Sequence, residues 1–160
     1  LKIKYISAFF GILMLVGLFG PWLSKGYDSY GGINLETGKL DLQYHMIYYL
    51  SPLKAEKVVD GTMVESAWFA STGLLISALL VTTSAILNPM RFRKMYFNFI
   101  PHILAFSGIS MFFLSIGMGQ SIGVVTELEW GVYLTALAAF SGFIYYVYEL
   151  LKNPSIYPQT

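Results

Sequence analysis

Apolar positions in this chain fall in long unbroken runs, while polar ones gather in a single stretch, Ser24 to Glu65. Four windows carry no charged residue: between Lys4 and Lys25, Glu65 and Arg91, Lys94 and Glu127, and Glu129 and Glu149. A helix needs roughly 20 residues to cross about 30 Å of hydrocarbon, and each window is long enough. The runs predict helices over about 5–23, 67–88, 97–118 and 130–150. Aromatic residues stand near their ends: Tyr5 and Trp22, Trp68, Tyr96 and Phe97, Trp130, and Tyr145, Tyr146 and Tyr148. Such rings favour the membrane–water boundary. Asn88-Pro89 stops the second helix and Asn153-Pro154 follows the fourth. Pro101 falls in the first turn of the third, where its missing N–H costs little. The first run resembles a signal peptide, following Lys2 and Lys4. It is longer than a signal core and shows no small-x-small cleavage site before Trp22, so it reads as a retained helix.

Within the polar stretch the period changes. Gly31 to Leu35 reads as strand, Glu36-Thr37-Gly38 as turn, and Lys39 to Leu50 as a second strand. Leu40, Leu42, Tyr44, Met46 and Tyr48 alternate there with Lys39, Asp41, Gln43 and His45, the period of a pleated strand. Val58-Val59 and Thr62-Met63-Val64 flank Asp60-Gly61, a strong hairpin signal because both central turn positions need positive φ. A short segment, 119–129, contains Ile122 and Val124-Val125, which read as one further strand able to cover a sheet edge. The expected fold is all-α and membrane-embedded, a single domain over 1–160. It is a four-transmembrane-helix bundle carrying a small extracellular antiparallel β-sheet from loop 24–65.

Composition sharpens the membrane reading. The chain is 56% hydrophobic and 12% charged, whereas soluble domains carry about 25% charged residues. Lys2, Lys4, Arg91, Arg93, Lys94 and Lys152 would share one side. Lys25, Lys39, Lys54 and Lys57 lie on the other, outnumbered by Asp28, Glu36, Asp41, Glu56, Asp60, Glu65, Glu127 and Glu129. The excess of basic residues on cytoplasmic segments then puts both termini in the cytoplasm of an integral cell-membrane protein, with 24–65 outside. A net charge of +1 and the lack of any basic run give no footprint for nucleic acid. Without cysteine there is no disulfide and no thiolate metal site.

Candidate chemistry is sparse. No charge interrupts the apolar interiors, which disfavours a transporter or channel. Asn98 and His102 share a helix face at spacing four, near the cytoplasmic end. His45 lies on the opposite side, so the two histidines cannot together hold one haem. Asp41 and His45 are a weak metal candidate, because a strand separates them by about 13 Å. No nucleophile triad, phosphate loop or carboxylate pair can be assembled, so neither an enzyme nor a cofactor is expected. Two contact surfaces remain. Tyr27, Tyr30, Tyr44, Tyr48 and Tyr49 either pack against the bilayer surface or form a protein-contact patch. Gly131, Thr135, Ala139 and Gly142 give the fourth helix a small-residue face, matched by Ser7 and Gly11 on the first and Ser115 and Gly119 on the third. That face reads as packing within the bundle ahead of self-association.

Together these features point to a non-enzymatic structural or accessory membrane protein. Its partners are the lipid bilayer and other membrane subunits or copies of itself, met through the external β-rich loop and the helix faces. The alternative is a small accessory subunit of a respiratory or other redox membrane complex, with His102 or the Asp41/His45 region completing a shared site. The layout, with a large first outer segment, a short second one and Trp22 just past the first helix, resembles the claudin and peripheral-myelin-protein tetraspan superfamily. The resemblance is one of topology, since the Gly-Leu-Trp-Cys-Cys signature is absent. It implies an external sheet above a helix bundle and a role in contacts between cells or subunits.

Overall fold

Gly20 and Pro21 end the first helix, because proline lacks the N–H that the next turn needs, and the chain passes directly into a strand. The computed structural model describes residues 2–68, 71–90, 95–117 and 125–152. Strands β1 (Leu23–Ile33), β2 (Leu40–Leu50), β3 (Lys54–Val59) and β4 (Thr62–Trp68) form an antiparallel meander. Strand β5 (Val125–Leu128) arrives from the other end of the sequence and pairs with β1, giving the order β4-β3-β2-β1-β5. The helices are α1 (Lys2–Phe19), α2 (Thr72–Leu87), α3 (Ile100–Gly117), entered through a 3-10 turn at Met95–Phe99, and α4 (Trp130–Lys152).

The turns follow local chemistry. Asn34 Oδ1 accepts the N–H groups of Glu36 and Thr37 at 2.9 and 3.1 Å, folding 34–38 into a turn that Gly38 closes at φ +64°. Leu35, expected in the first strand, therefore sits in this turn. Asp60 and Gly61 take φ of 48° and 79°, as the Asp-Gly signal requires. Ser71 caps α2, its side chain accepting the N–H of Leu74 at 3.2 Å.

The structure overturns the expected all-α, four-span class. The chain is a mixed α/β fold of four helices and a five-stranded antiparallel sheet. Among the described residues two helices are long and apolar enough to cross a membrane, Phe97–Ile116 and Trp130–Lys152, while Tyr5–Phe19 and Thr72–Leu87 are shorter. The reason is that the sheet claims residues the apolar pattern assigned to helix. Trp22 leaves the first helix for the link into β1, Leu23 opens that strand, and β4 continues through Trp68, so α2 begins only at Thr72. The basic link 91–94, the segment 118–124 with Ile122 and Val124, and Asn153-Pro154 lie outside the described residues. Val125 does open a strand on β1.

Helix α1 packs on α4 and α2 on α3, with smaller α1–α2 and α3–α4 contacts. Glycine sets the closeness. A Cβ on Gly17 would collide with the Thr135 hydroxyl and sit 2.8 Å from the Gly131 carbonyl oxygen. Polar side chains of α2 then bond to neighbouring backbones: Ser77 Oγ donates to the Gly108 carbonyl at 2.7 Å, Ser84 Oγ to Pro101 at 2.6 Å, and Asn88 Nδ2 to Ser7 at 2.8 Å. Trp22, fully buried, joins bundle and sheet. Its indole N–H donates to the Gly17 carbonyl at 2.9 Å, its backbone N–H to Leu50 at 2.8 Å, and its carbonyl accepts Glu129 N–H at 3.0 Å. Its ring packs 4.8 Å from that of Phe112 on α3.

Candidate functional site

The sheet is wide at its helix end and narrow at the other. Strand β5 covers β1 only from Leu23 to Gly26, and β3 covers β2 only from Met46 to Leu50. One more tie follows, where Asp60 N–H donates to the His45 carbonyl and Asp60 Oδ1 accepts His45 N–H, both at 2.9 Å. Past that point β1 and β2 continue as a two-stranded arm to the Ile33–Leu40 pair, with no further strand beside it among the described residues. At about 3.3 Å per residue the arm extends by roughly 20 Å. Its tip presents two apolar side chains, Ile33 at 64% exposed and Leu35 at 96%, beside exposed Glu36, Thr37 and Lys39.

An isolated two-stranded hairpin is only marginally stable in water. This one is stiffened at its base by register with the wider sheet and at its tip by the Asn34 turn. The other free edge, β4, is exposed along its whole length and carries Met63 and Val64. The register shifts opposite Lys57 and Val58, leaving Val64 of β4 as an extra residue in the ladder, a device that discourages edge pairing.

The tyrosines do not form one patch. Tyr27 and Tyr48 meet edge to face at 5.6 Å, and the Lys57 ammonium lies 5.9 Å from the Tyr48 ring centre. Tyr49, next along the strand, points to the opposite face and lines a small cleft with Phe19, Pro21, Lys54 and Glu56. Lys54 and Glu56 are ion-paired there, and Lys54 also lies 5.6 Å from the Trp68 ring centre. The side chains of Tyr30, Asp41 and Tyr44 lie outside the described residues. Asp41 and His45 are both on β2, four residues apart along an extended strand, so nothing in the backbone brings them together. Among the described residues no three His, Asp or Glu side chains are placed to hold a metal.

Gly131, Thr135, Ala139 and Gly142 are all buried on one face of α4. Gly131 abuts the Pro21 and Gly17 carbonyls, and Gly142 faces Phe10 and Asn88. That face is consumed inside the bundle. Ser7 is buried beside Asn88, Gly11 abuts the backbone of Ala85, and Ser115 abuts Gly73, whereas Gly119 lies outside the described residues. Asn98 and His102 are buried as well, with the His102 ring 5.5 Å from Phe143 and 5.6 Å from Tyr146 on α4.

Two features escaped the sequence reading. The exposed Ile33–Leu35 tip was hidden because Leu35 continues the apolar alternation; Asn34, able to cap its own turn, was the available signal. The burial of Lys25 had no local signal, because neighbours distant in sequence produce it. No protein-family model matches this chain and no curated protein matches it, so the resemblance to the claudin superfamily rests on layout alone.

Proposed function

We propose that this chain is a non-enzymatic, membrane-anchored docking protein whose β1–β2 arm engages other membrane-protein subunits outside the cell. The observation that carries this reading is the arm itself, which outruns the rest of the sheet and ends in exposed Ile33 and Leu35. Open strand edges recruit extended segments by backbone hydrogen bonds, and flanking apolar side chains add selectivity. The small-residue face of α4 offers no competing surface, since Gly131, Thr135, Ala139 and Gly142 are buried within the chain.

Membrane anchoring rests on α3 and α4, with α1 and α2 packed against them. Leu114, Leu137, Phe140 and Ile144 are each more than half exposed, an arrangement suited to lipid rather than water. Exposed Trp68 and Trp130 stand at the sheet end, and Tyr5 and Tyr148 at the other, as interfacial rings do. With Lys152 in the last turn of α4 and Glu127 and Glu129 at the sheet end, the termini face the cytoplasm and the sheet faces outward.

The test places a photo-crosslinking residue at position 35 in native membranes. A discrete protein adduct is expected there, and not from the same residue at Leu137 on the lipid-facing side. A chain that gives no adduct and runs as a lone monomer in gentle detergent would overturn the docking role.

A further inference from the structure

Lys25 is the unusual residue of the sheet. It lies on β1 at a level where that strand has neighbours on both sides, and only 9% of its surface is exposed. Among the described residues no hydrogen bond, ion pair or ring contact engages its ammonium. Buried charges in proteins are normally paired, so a lysine placed this way is short of an anion.

The register supplies its surroundings. Lys25 stands in a cross-strand row with Thr126, Tyr48, Lys57 and Glu65. Tyr48 separates the two lysines, and Tyr27 packs edge-on against Tyr48. Glu65 is exposed and stands opposite Lys57, so it offsets that charge rather than that of Lys25. Glu127 pairs with Ser24, one residue away and hence on the other face. The row therefore offers one uncompensated cation and one partly compensated, with tyrosine rings between them.

Its height above the helices identifies the anion. Two residues nearer the bundle is the row Leu128–Leu23–Leu50–Ala55–Ala67, in which Leu23 belongs to the hydrophobic core. Exposed Trp68 and Trp130 flank that row, where a boundary belt of aromatics belongs. Lys25 is then about 7 Å further out along the strands, within the roughly 5–8 Å that separates hydrocarbon from the outer limit of the headgroups. Phosphate groups occupy that layer.

From this we infer that Lys25, with Lys57 beside it, recognises the phosphate of an anionic phospholipid in the outer leaflet. Leu23, Tyr27 and Tyr48 share its face of the sheet, so the stem would lie beside apolar and aromatic neighbours while the ammonium meets the headgroup, the usual division of labour in an interfacial lysine. The inference rests on the membrane-anchored reading given above, and it adds a lipid to the protein partner.

The test reconstitutes the full chain in nanodiscs of phosphatidylcholine doped with phosphatidylglycerol and counts the lipids retained, by native mass measurement. The wild-type chain keeps phosphatidylglycerol in preference. Lys25→Gln lowers that preference about tenfold, what one lost charge-assisted bond produces, and Lys25→Arg restores most of it. Lys57→Gln has a smaller effect, and Lys39→Gln on the arm has none. A wild-type chain without preference overturns the inference whatever the variants do, as does a Lys25→Gln chain that keeps it. Displacement of the lipid by inorganic phosphate at equal concentration would assign a free anion and overturn the lipid assignment. A chain that does not enter nanodiscs at all overturns the membrane reading, and the inference with it.

Discussion

The two ends of the β-sheet are built on opposite terms. At the Leu23 row five strands lie side by side, with Trp22 bonded into α1, β2 and the approach to α4. Beyond His45 two strands remain among the described residues, and Ile33 and Leu35 stand exposed at their end. The base is held by burial and hydrogen bonding, with Lys25 buried among its strands. The arm keeps backbone and side-chain groups available, and its rigidity is borrowed from the base. Stability and availability are thus separated along one pair of strands, so damage to each end should register in different measurements.

The largest expected effect lies at the base. Trp22→Ala removes a fully buried indole and its hydrogen bond to Gly17, and should cost about 3–5 kcal/mol. A denaturant titration in detergent micelles measures this, and a loss below 1 kcal/mol, about the value of a surface change, would remove Trp22 from its joining role. Next comes Gly17→Val on α1. Its Cβ would lie 2.8 and 2.9 Å from Gly131 O and Thr135 N, and overpacking of this kind costs about 1–3 kcal/mol. The paired change Thr135→Ala should recover little of it, because backbone atoms also obstruct. Ser84→Ala removes the hydroxyl bond to Pro101 and should cost only about 0.6 kcal/mol, the average for such bonds between membrane helices. Smallest in stability is Leu35→Asp at the tip, within about 0.5 kcal/mol of the parent. The same change should abolish the adduct formed when the photo-crosslinking residue stands at Ile33 instead. If Leu35→Asp destabilised the chain as Trp22→Ala does, the division between base and arm would fail.

Much of the sheet was legible because turn chemistry is local. Asp60-Gly61 announced its hairpin through two positive φ angles, and the alternation from Leu40 to Tyr48 announced β2. The strand beside β1 was legible in part, from Val125, which opens β5, while Ile122 and Val124 lie outside the described residues. Helix limits were not legible, because Trp22, Leu23 and Trp68 are as apolar as any helical residue. Their state is decided by strand partners outside the local window: Leu23 by Leu50 and Leu128, Trp68 by Lys54. The small-residue face of α4 was found from spacing alone. What it packs against was not, since Gly17 and Pro21 belong to a helix end that the apolar run had obscured. Of the tyrosines, adjacency suggested a single cluster, whereas the pleat sends Tyr48 and Tyr49 to opposite faces.

The bonding at Trp22 also has a mechanical side. With Pro21 accepting Gly131 N–H at 2.9 Å as well, the junction of the sheet with α1 and α4 is tied by short links at Pro21 and Trp22. A load on Leu35 would then act on the arm as on a lever whose fulcrum is the indole, and reach α1 and α4 as torque.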